Sequence, residues 1–549
     1  MKKLTMGLLL LFFSSINLTA QVTQEWVQRY NGPGDWNDWG YSLALDGAGN
    51  IYVTGYSWGG SNTFYDYATI KYNPAGQQQW VARYNYSANY NDVAYWVVVD
   101  GSANVYVTGY GTLSGTTNRD FVTIKYNTAG IQQWVAAFNG PSNGEDWAFM
   151  DAVDSSGNVY AGGYTKKSSS DYDYVTVKYN SAGVQQWVQY YDGTANGFDE
   201  VRSMGVDPTG NVYVTGYSQQ TGTGYDMVTI KYNTAGVQQW LQKYNSTGGN
   251  DFAWGLAVDP SGNVYITGEG PGVAGTDFIT IKYNTSGVQQ WVSTYNGSGN
   301  DADYGRCITF DGSGNVYATG AGIQTGTNYD YVTIKYNSSG AQQWASTYNG
   351  PGNGIDYPYG LAIDNSGNVY VSGLSTGSGT FWDYATAKYN SSGVQQWAQR
   401  YDGPVSGDDG VYGMGVDNSG NVYVTGWSAG AAGNIKDYAT VKYSQTVGIK
   451  PISSEIPGEY NLHQNYPNPF NPVTKIEFSL PLPSEGGVQD IKLAIFDVLG
   501  REISTLVNEQ LNPGKYEVEW DASNYPSGVY YYKLMASDFT ESKKMVLVK

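Results

Sequence analysis

The sequence predicts an all-β protein built by repetition. The block Gly/Ala-Asn-Ile/Val-Tyr recurs eight times, ending at Tyr52, Tyr106, Tyr160, Tyr213, Tyr265, Tyr317, Tyr370 and Tyr423, at intervals of 52 to 54 residues. Each interval holds four short runs of β-branched and aromatic residues bounded by Gly, Asn and Asp, as strands in hairpins are. The composition agrees: 72 Gly and 52 Tyr in 549 residues, 41% apolar and only 14% charged, suit many short strands joined by tight turns.

The elements follow in chain order. Met1-Lys2-Lys3 is a positive start, residues 4–13 are mostly apolar, and small or polar residues run to Ala20. Residues 1–20 read as a secretory signal peptide, too short to span a membrane. In each repeat the four runs are named a to d; in the second they are residues 96–100, 104–109, 120–126 and 132–135. Between a and b stands Asp-x-x-Gly-Asn, as in Asp259 to Asn263, where Asp caps the turn and Gly supplies a positive φ. Between c and d, Asn233 and Gly236 do the same. These two turns keep one length throughout.

A four-stranded unit repeated eight times predicts an eight-bladed β-propeller over residues 22–445. The eighth repeat stops after run c, while residues 23–30, around Trp26, are a spare run d. An N-terminal strand therefore closes the last blade and leaves no free sheet edge. The repeat blocks also resemble the SBBP-type β-propeller repeat of secreted bacterial proteins, which implies the same fold and no particular reaction.

Residues 446–460, with Pro451 and Pro457, read as a linker, and 461–549 as a small Ig-like β-sandwich. This tail resembles the type A C-terminal sorting domain of the type IX secretion system. The matching positions are Asn465, Pro467, Pro469, Phe470, Gly500, Arg501, Gly528, Lys544 and Lys549. The resemblance implies contact with the type IX machinery, export through the periplasm, and a product either released or attached to the outer surface.

Composition excludes several functions. One Cys, Cys307, and one His, His463, rule out a disulfide framework, a Cys-based metal site and a His-based triad in the propeller. A net charge of -19 argues against nucleic acid and anionic membranes, and the chain is expected to be a monomer without membrane insertion.

The d–a and b–c loops share one face of the disc, where function is expected. That face carries an Asp at each d–a junction: Asp38, Asp92, Asp146, Asp199, Asp251, Asp303, Asp356 and Asp409. A second set lies at the b–c junctions, including Asp66, Asp173 and Asp383. Such residues cap backbone N–H groups or pair with repeat lysines such as Lys125 and Lys282. They are also ligand candidates, and calcium is the one cofactor they leave open. Eight tryptophans at one run-d position, Trp80 and Trp240 among them, read as packing. The non-repeating Trp36, Trp39, Trp58, Trp382 and Trp427 suit a sugar ring, with its apolar faces and hydroxyl rim. The expected function is a secreted binding or scaffold module for a polysaccharide or an extracellular protein. Its alternative is a carbohydrate-active hydrolase or lyase using carboxylates of the loop face, against which the near-identity of the repeats argues.

Overall fold

The computed structural model describes residues 22–549 except 62, 87–89, 113–117, 247, 273, 431–434, 446–449, 454, 484–488, 523–524 and 537–538. The expected signal peptide lies outside the described residues. The chain divides into two compact units, Thr23–Ser444 and a second built from Gln445–Lys549.

The first unit is an eight-bladed β-propeller of four-stranded antiparallel blades. Blade 1 is typical, with strands Asp38–Leu45, Ile51–Trp58, Tyr65–Tyr72 and Gln78–Tyr84 in the order a-b-c-d. Blade 8 combines Asp409–Val416, Val422–Ala429 and Lys436–Gln445 with the N-terminal strand Val22–Tyr30, which supplies its strand d. Each strand a packs beside the next, and that of blade 8 packs beside that of blade 1, so the a strands surround the central channel. The hydrophobic clusters form between blades: Tyr52 and Tyr67 of blade 1 join Val105, Val107 and Ile124 of blade 2. Across the seam, Tyr423 and Tyr438 join Ile51, Val53 and Ile70, and the Tyr438 hydroxyl donates to the Ala68 carbonyl.

Two repeated residues explain most of the grammar. The a–b turn Asp accepts four hydrogen bonds; Asp46 takes the N–H groups of Ala48 and Asn50, the Asn50 amide and the Tyr52 hydroxyl, all at 2.7–2.9 Å. The run-d tryptophan lies over the c–d glycine of the next blade and donates its indole N–H to a carbonyl of that turn, as Trp240 does to Thr285 at 3.1 Å. The run-c lysines do not pair with the b–c carboxylates as expected. Lys125 and Lys282 instead lie 5.1 Å over the rings of Tyr106 and Tyr265.

Every strand a contains a β-bulge at one position, three residues after the d–a Asp. In blade 1, Gly40 pairs with Gly55 and Ser42 with Thr54, which leaves Tyr41 as the extra residue. The same shift leaves Tyr95, Phe149, Arg202, Trp254, Arg306, Tyr359 and Tyr412 unpaired in the other seven blades. The run-b glycine makes this geometry possible. A Cβ on Gly55 would stand 1.8 Å from the Trp39 carbonyl oxygen, and one on Gly216 1.9 Å from that of Glu200. A bulge re-aims a side chain, and here eight bulges do so around one axis.

The second unit is a β-sandwich of two four-stranded sheets. One contains Lys450–Ser453, Gly514–Asp521, Val473–Leu480 and Asn461–Leu462; the other Glu502–Leu511, Gln489–Phe496, Gly528–Ala536 and Phe539–Leu547. Residues 450–453, read from sequence as linker, are thus an edge strand paired with 515–517. Phe470, Ile476, Phe478, Leu493, Trp520, Tyr532 and Leu534 are among the residues that fill the core between the sheets.

Candidate functional site: the aromatic and arginine ring of the channel mouth

The eight d–a aspartates, ligand candidates in the sequence, are all sealed from solvent. Asp38 accepts the Gly32 N–H at 2.6 Å and the Trp58 N–H at 2.8 Å, tying the d–a loop to the b–c loop. Asp92 does the same with Tyr86 and Thr112, Asp199 with Gly193 and Gln219, Asp356 with Gly350 and Thr376, and Asp409 with Gly403 and Ala429. Asp146 takes the Gly140 N–H and the Thr165 hydroxyl, Asp251 the Ser246 N–H and hydroxyl, and Asp303 the Gly297 N–H. Burial pushes Asp38 up to about 6 and Asp92 to about 7, against the pull of these N–H donors.

Three b–c aspartates are held by arginines of strand d. Arg83 donates to Asp66 at 2.8 Å and to the Ser57 carbonyl at 3.0 Å; Arg29 and Arg400 repeat this on Asp437 and Ser428, and on Asp383 and Ser375. Two carboxylate triads among the described residues are close enough to share an ion. In the first, Asp171, Asp173 and Asp192, Lys167 pairs with all three acids. In the second, Asp383, Asp402 and Asp409, Arg400 pairs with Asp383.

The expected tryptophans separate into rim and wall. Trp36 is 50% exposed and Trp382 38%, both on the loop face. Trp58 is half-buried, edge-on to Phe64 at 5.5 Å and to Tyr65 at 5.0 Å. Trp39 stacks on Tyr56 at 5.8 Å and on Trp427 at 5.1 Å. Trp427 is a correction to the exposed role expected of it, being only 3% exposed. Blade 8 has Gly410 opposite it, so the indole lies flat over that glycine with Lys436 3.6 Å above its ring.

The eight bulge residues form the site that the sequence reading missed. Tyr41 and Tyr95 have ring centroids 5.1 Å apart, Tyr95 and Phe149 5.6 Å, Tyr359 and Tyr412 5.1 Å, and Tyr412 and Tyr41 5.2 Å. The Arg202 guanidinium lies 4.9 Å from both Phe149 and Trp254, and Arg306 4.4 Å from Trp254 and 5.6 Å from Tyr357. All eight are half-buried, so the ring is neither core nor free surface. Two acids back its polar side. Glu200 accepts the Tyr217 hydroxyl at 2.6 Å and pairs with Arg202 at 3.0 Å; Glu269 accepts the Trp254 indole N–H at 3.2 Å. Burial pushes Glu269 up to about 7 against the pull of Arg306. The signal in the sequence was present: the third residue after each d–a Asp is aromatic or arginine in every repeat.

In the sandwich, the first and last parts of the sorting motif meet. Phe470 is buried on Trp520, donates its N–H to the Val546 carbonyl and accepts from the Val548 N–H. Asn465 is buried; its N–H donates to the Tyr532 hydroxyl and its amide to the carbonyl of Pro467 and the Thr474 hydroxyl. The Tyr466–Pro467 and Asn468–Pro469 bonds are cis. The Lys544 carbonyl accepts from the Gln464 amide, and the Lys549 N–H donates to the Ser527 hydroxyl just before Gly528. Gly500, at φ +77°, turns the chain so that Arg501 pairs with Asp497 at 2.7 Å.

Residues 464–549 match the family described as secretion system C-terminal sorting domain, and five stretches, 25–61, 186–221, 239–272, 343–379 and 396–431, match the beta-propeller repeat. The chain carries beta-propeller repeats and a C-terminal secretion sorting domain. Export follows from the sorting domain, and no helix of the described residues is long and apolar enough to cross a membrane. The chain is also 24% identical, over 58% of its length, to an uncharacterized WD repeat-containing protein of Acanthamoeba polyphaga mimivirus, and spans 27% of that relative. Among solved structures it is similar to a polysaccharide lyase, at 10% identity and TM-score 0.40, over 76% of this chain and 92% of that one. A gluconolactonase from Xanthomonas campestris matches at 9% identity and TM-score 0.27, over 53% and 96% respectively.

Proposed function

We propose that the exported propeller is a glycan-binding module whose ligand lies across the loop-face mouth of the channel. The observation that supports this reading is the ring of six aromatics and two arginines ejected by the eight bulges. A sugar offers apolar C–H faces and a rim of hydroxyls; aromatic rings receive the first, and unsatisfied polar groups the second. The indole N–H groups of Trp39 and Trp147 and one oxygen of Glu269 are buried at this mouth without a hydrogen-bond partner among the described residues. The exposed Trp36 and Trp382 extend the aromatic surface toward the rim.

The test is a panel of soluble polysaccharides titrated into the secreted protein. Saturable binding is expected, and Tyr41→Ala with Tyr412→Ala should weaken it by about tenfold or more. Binding that survives this double change, or a protein ligand with no glycan bound, sinks the reading. Catalysis on the bound glycan is a second reading, supported by Glu269: a carboxyl raised to about 7 suits a general acid. New reducing ends or unsaturated products, lost in Glu269→Gln, would establish it. The sorting domain is further proposed to bring the propeller outside through the type IX machinery and then to be removed. Intact-mass analysis of the extracellular protein should lack residues 461–549, and full-length chain outside the cell would refute removal.

A further inference from the structure

The eight ring positions are not equivalent, and the break in symmetry falls on neighbouring blades. Blades 1, 2, 3, 7 and 8 place Tyr41, Tyr95, Phe149, Tyr359 and Tyr412 there, while blades 4 to 6 place Arg202, Trp254 and Arg306. The two guanidiniums lie 4.9 Å and 4.4 Å from the Trp254 ring.

In so acidic a chain the pairing of arginines is informative. The propeller contains six. Arg29, Arg83, Arg119, Arg202 and Arg400 each have a carboxylate within 4.0 Å. Arg306 has none among the described residues: it lies over the Trp254 and Tyr357 rings, and its Nε is buried without a hydrogen-bond partner. A half-buried guanidinium carrying an unused donor stays charged and costs desolvation unless an anion completes it. Of the carboxylates nearby, Glu200 is committed to Tyr217 and Arg202, and Glu269, which accepts the Trp254 indole N–H, attracts Arg306 without forming an ion pair with it within 4.0 Å. Burial also raises both acids, against the pull of Arg202 on Glu200 and of Arg306 on Glu269.

Resting on the glycan-binding reading, we propose that the ligand is an anionic polysaccharide, with a carboxylate or sulfate of one sugar held by Arg306. The planar guanidinium presents two parallel N–H donors to such a group, and the Trp254 indole, 4.4 Å from it, fixes its place in the ring. The aromatic arc of the other five blades receives the flanking sugars without regard to charge.

The experiment compares polymers that share a backbone and differ in charge. Polygalacturonate is measured against its fully methyl-esterified form, and dextran sulfate against dextran, with the secreted protein. At least one charged member is expected to bind about tenfold more tightly than its neutral partner. The pair showing the preference tells a carboxylate from a sulfate. Arg306→Gln should abolish that preference, and Arg306→Lys should restore it only in part, because a point charge lacks the planar fork. Tyr41→Ala with Tyr412→Ala should weaken charged and neutral polymers alike. Equal binding within both pairs, or a preference that survives Arg306→Gln in a variant with unchanged thermal unfolding, overturns the anionic assignment alone. No binding to any polymer overturns the glycan reading beneath it.

Discussion

Asp151 stands where every other blade has an aliphatic or thioether side chain. Five residues after the d–a Asp the sequence reads Leu43, Val97, Asp151, Met204, Leu256, Ile308, Leu361 and Met414. Its side chain is buried, and neither carboxyl oxygen has a hydrogen-bond partner among the described residues. Burial therefore raises its pKa well above the carboxylate range. The folded state prefers the protonated form, so the stability tied to this group is fully present below the unfolded pKa of about 3.9 and is lost as pH rises toward the folded value. Asp151→Leu should raise the stability of the propeller by about 2 kcal/mol at pH 7 and by less at pH 4. Chemical denaturation of both proteins at the two pH values measures this. An unchanged or lowered midpoint at pH 7 would mean that Asp151 has a partner. The misfit was legible in the eightfold comparison of the sequence. What that comparison does not contain is the direction of the side chain, which depends on the bulge two residues earlier.

At the level of elements, strands and turns are readable because each repeats one local solution eight times: Asp and Gly fix the a–b turn, Asn and Gly the c–d turn. The bulges are not readable in this way. They add one residue to a strand whose alternation otherwise continues, and they are betrayed only by the glycine opposite, Gly55 in blade 1, whose lack of a side chain admits the Trp39 carbonyl. The ring of functional candidates was missed for that reason, although each of its members is plain in the sequence. Residues 450–453 were missed for another, since their partner strand lies some sixty residues further on. The tryptophan latch between blades gives an internal control. Trp240 donates to the Thr285 carbonyl of the following c–d turn. Trp397 precedes blade 8, whose strand c runs to Gln445 and whose strand d comes from the N-terminus, and its indole N–H has no partner among the described residues. Trp240→Phe should cost about 1 kcal/mol more than Trp397→Phe, because only the first loses a hydrogen bond along with the indole's extra area. Equal losses in the two variants, read from unfolding midpoints, would assign the latch entirely to packing.

Over the whole molecule, the weak point of a closed ring is where its two ends meet. Seven blades hold strand d through the c–d turn, so a lost side-chain contact leaves that strand covalently tethered at its own edge. In blade 8 the strand Val22–Tyr30 reaches its partner Lys436–Gln445 from the opposite end of the propeller sequence, and closing so long a loop carries a greater entropic cost. The three arginine clamps lie at this seam and on either side of it, in blades 7, 8 and 1. Arg29 and Arg83 make the same contacts, at 2.8 and 3.0 Å to the b-strand carbonyl and 3.0 and 2.8 Å to the b–c Asp. Local energetics alone would make Arg29→Met and Arg83→Met equal, each costing about 1.5–3 kcal/mol for a charged hydrogen-bonded group. Topology separates them. With Arg29 replaced, the N-terminal strand can leave while the other seven blades remain folded, so limited proteolysis should remove residues 22–30 well before global unfolding. With Arg83 replaced, strand d of blade 1 stays tethered by its c–d turn and cleavage should follow global unfolding only. N-terminal sequencing of the first proteolytic product decides between the two outcomes. Release of the N-terminal strand at the same rate in both variants would show that the ring does not open at its seam, and that the eight blades unfold as one cooperative unit.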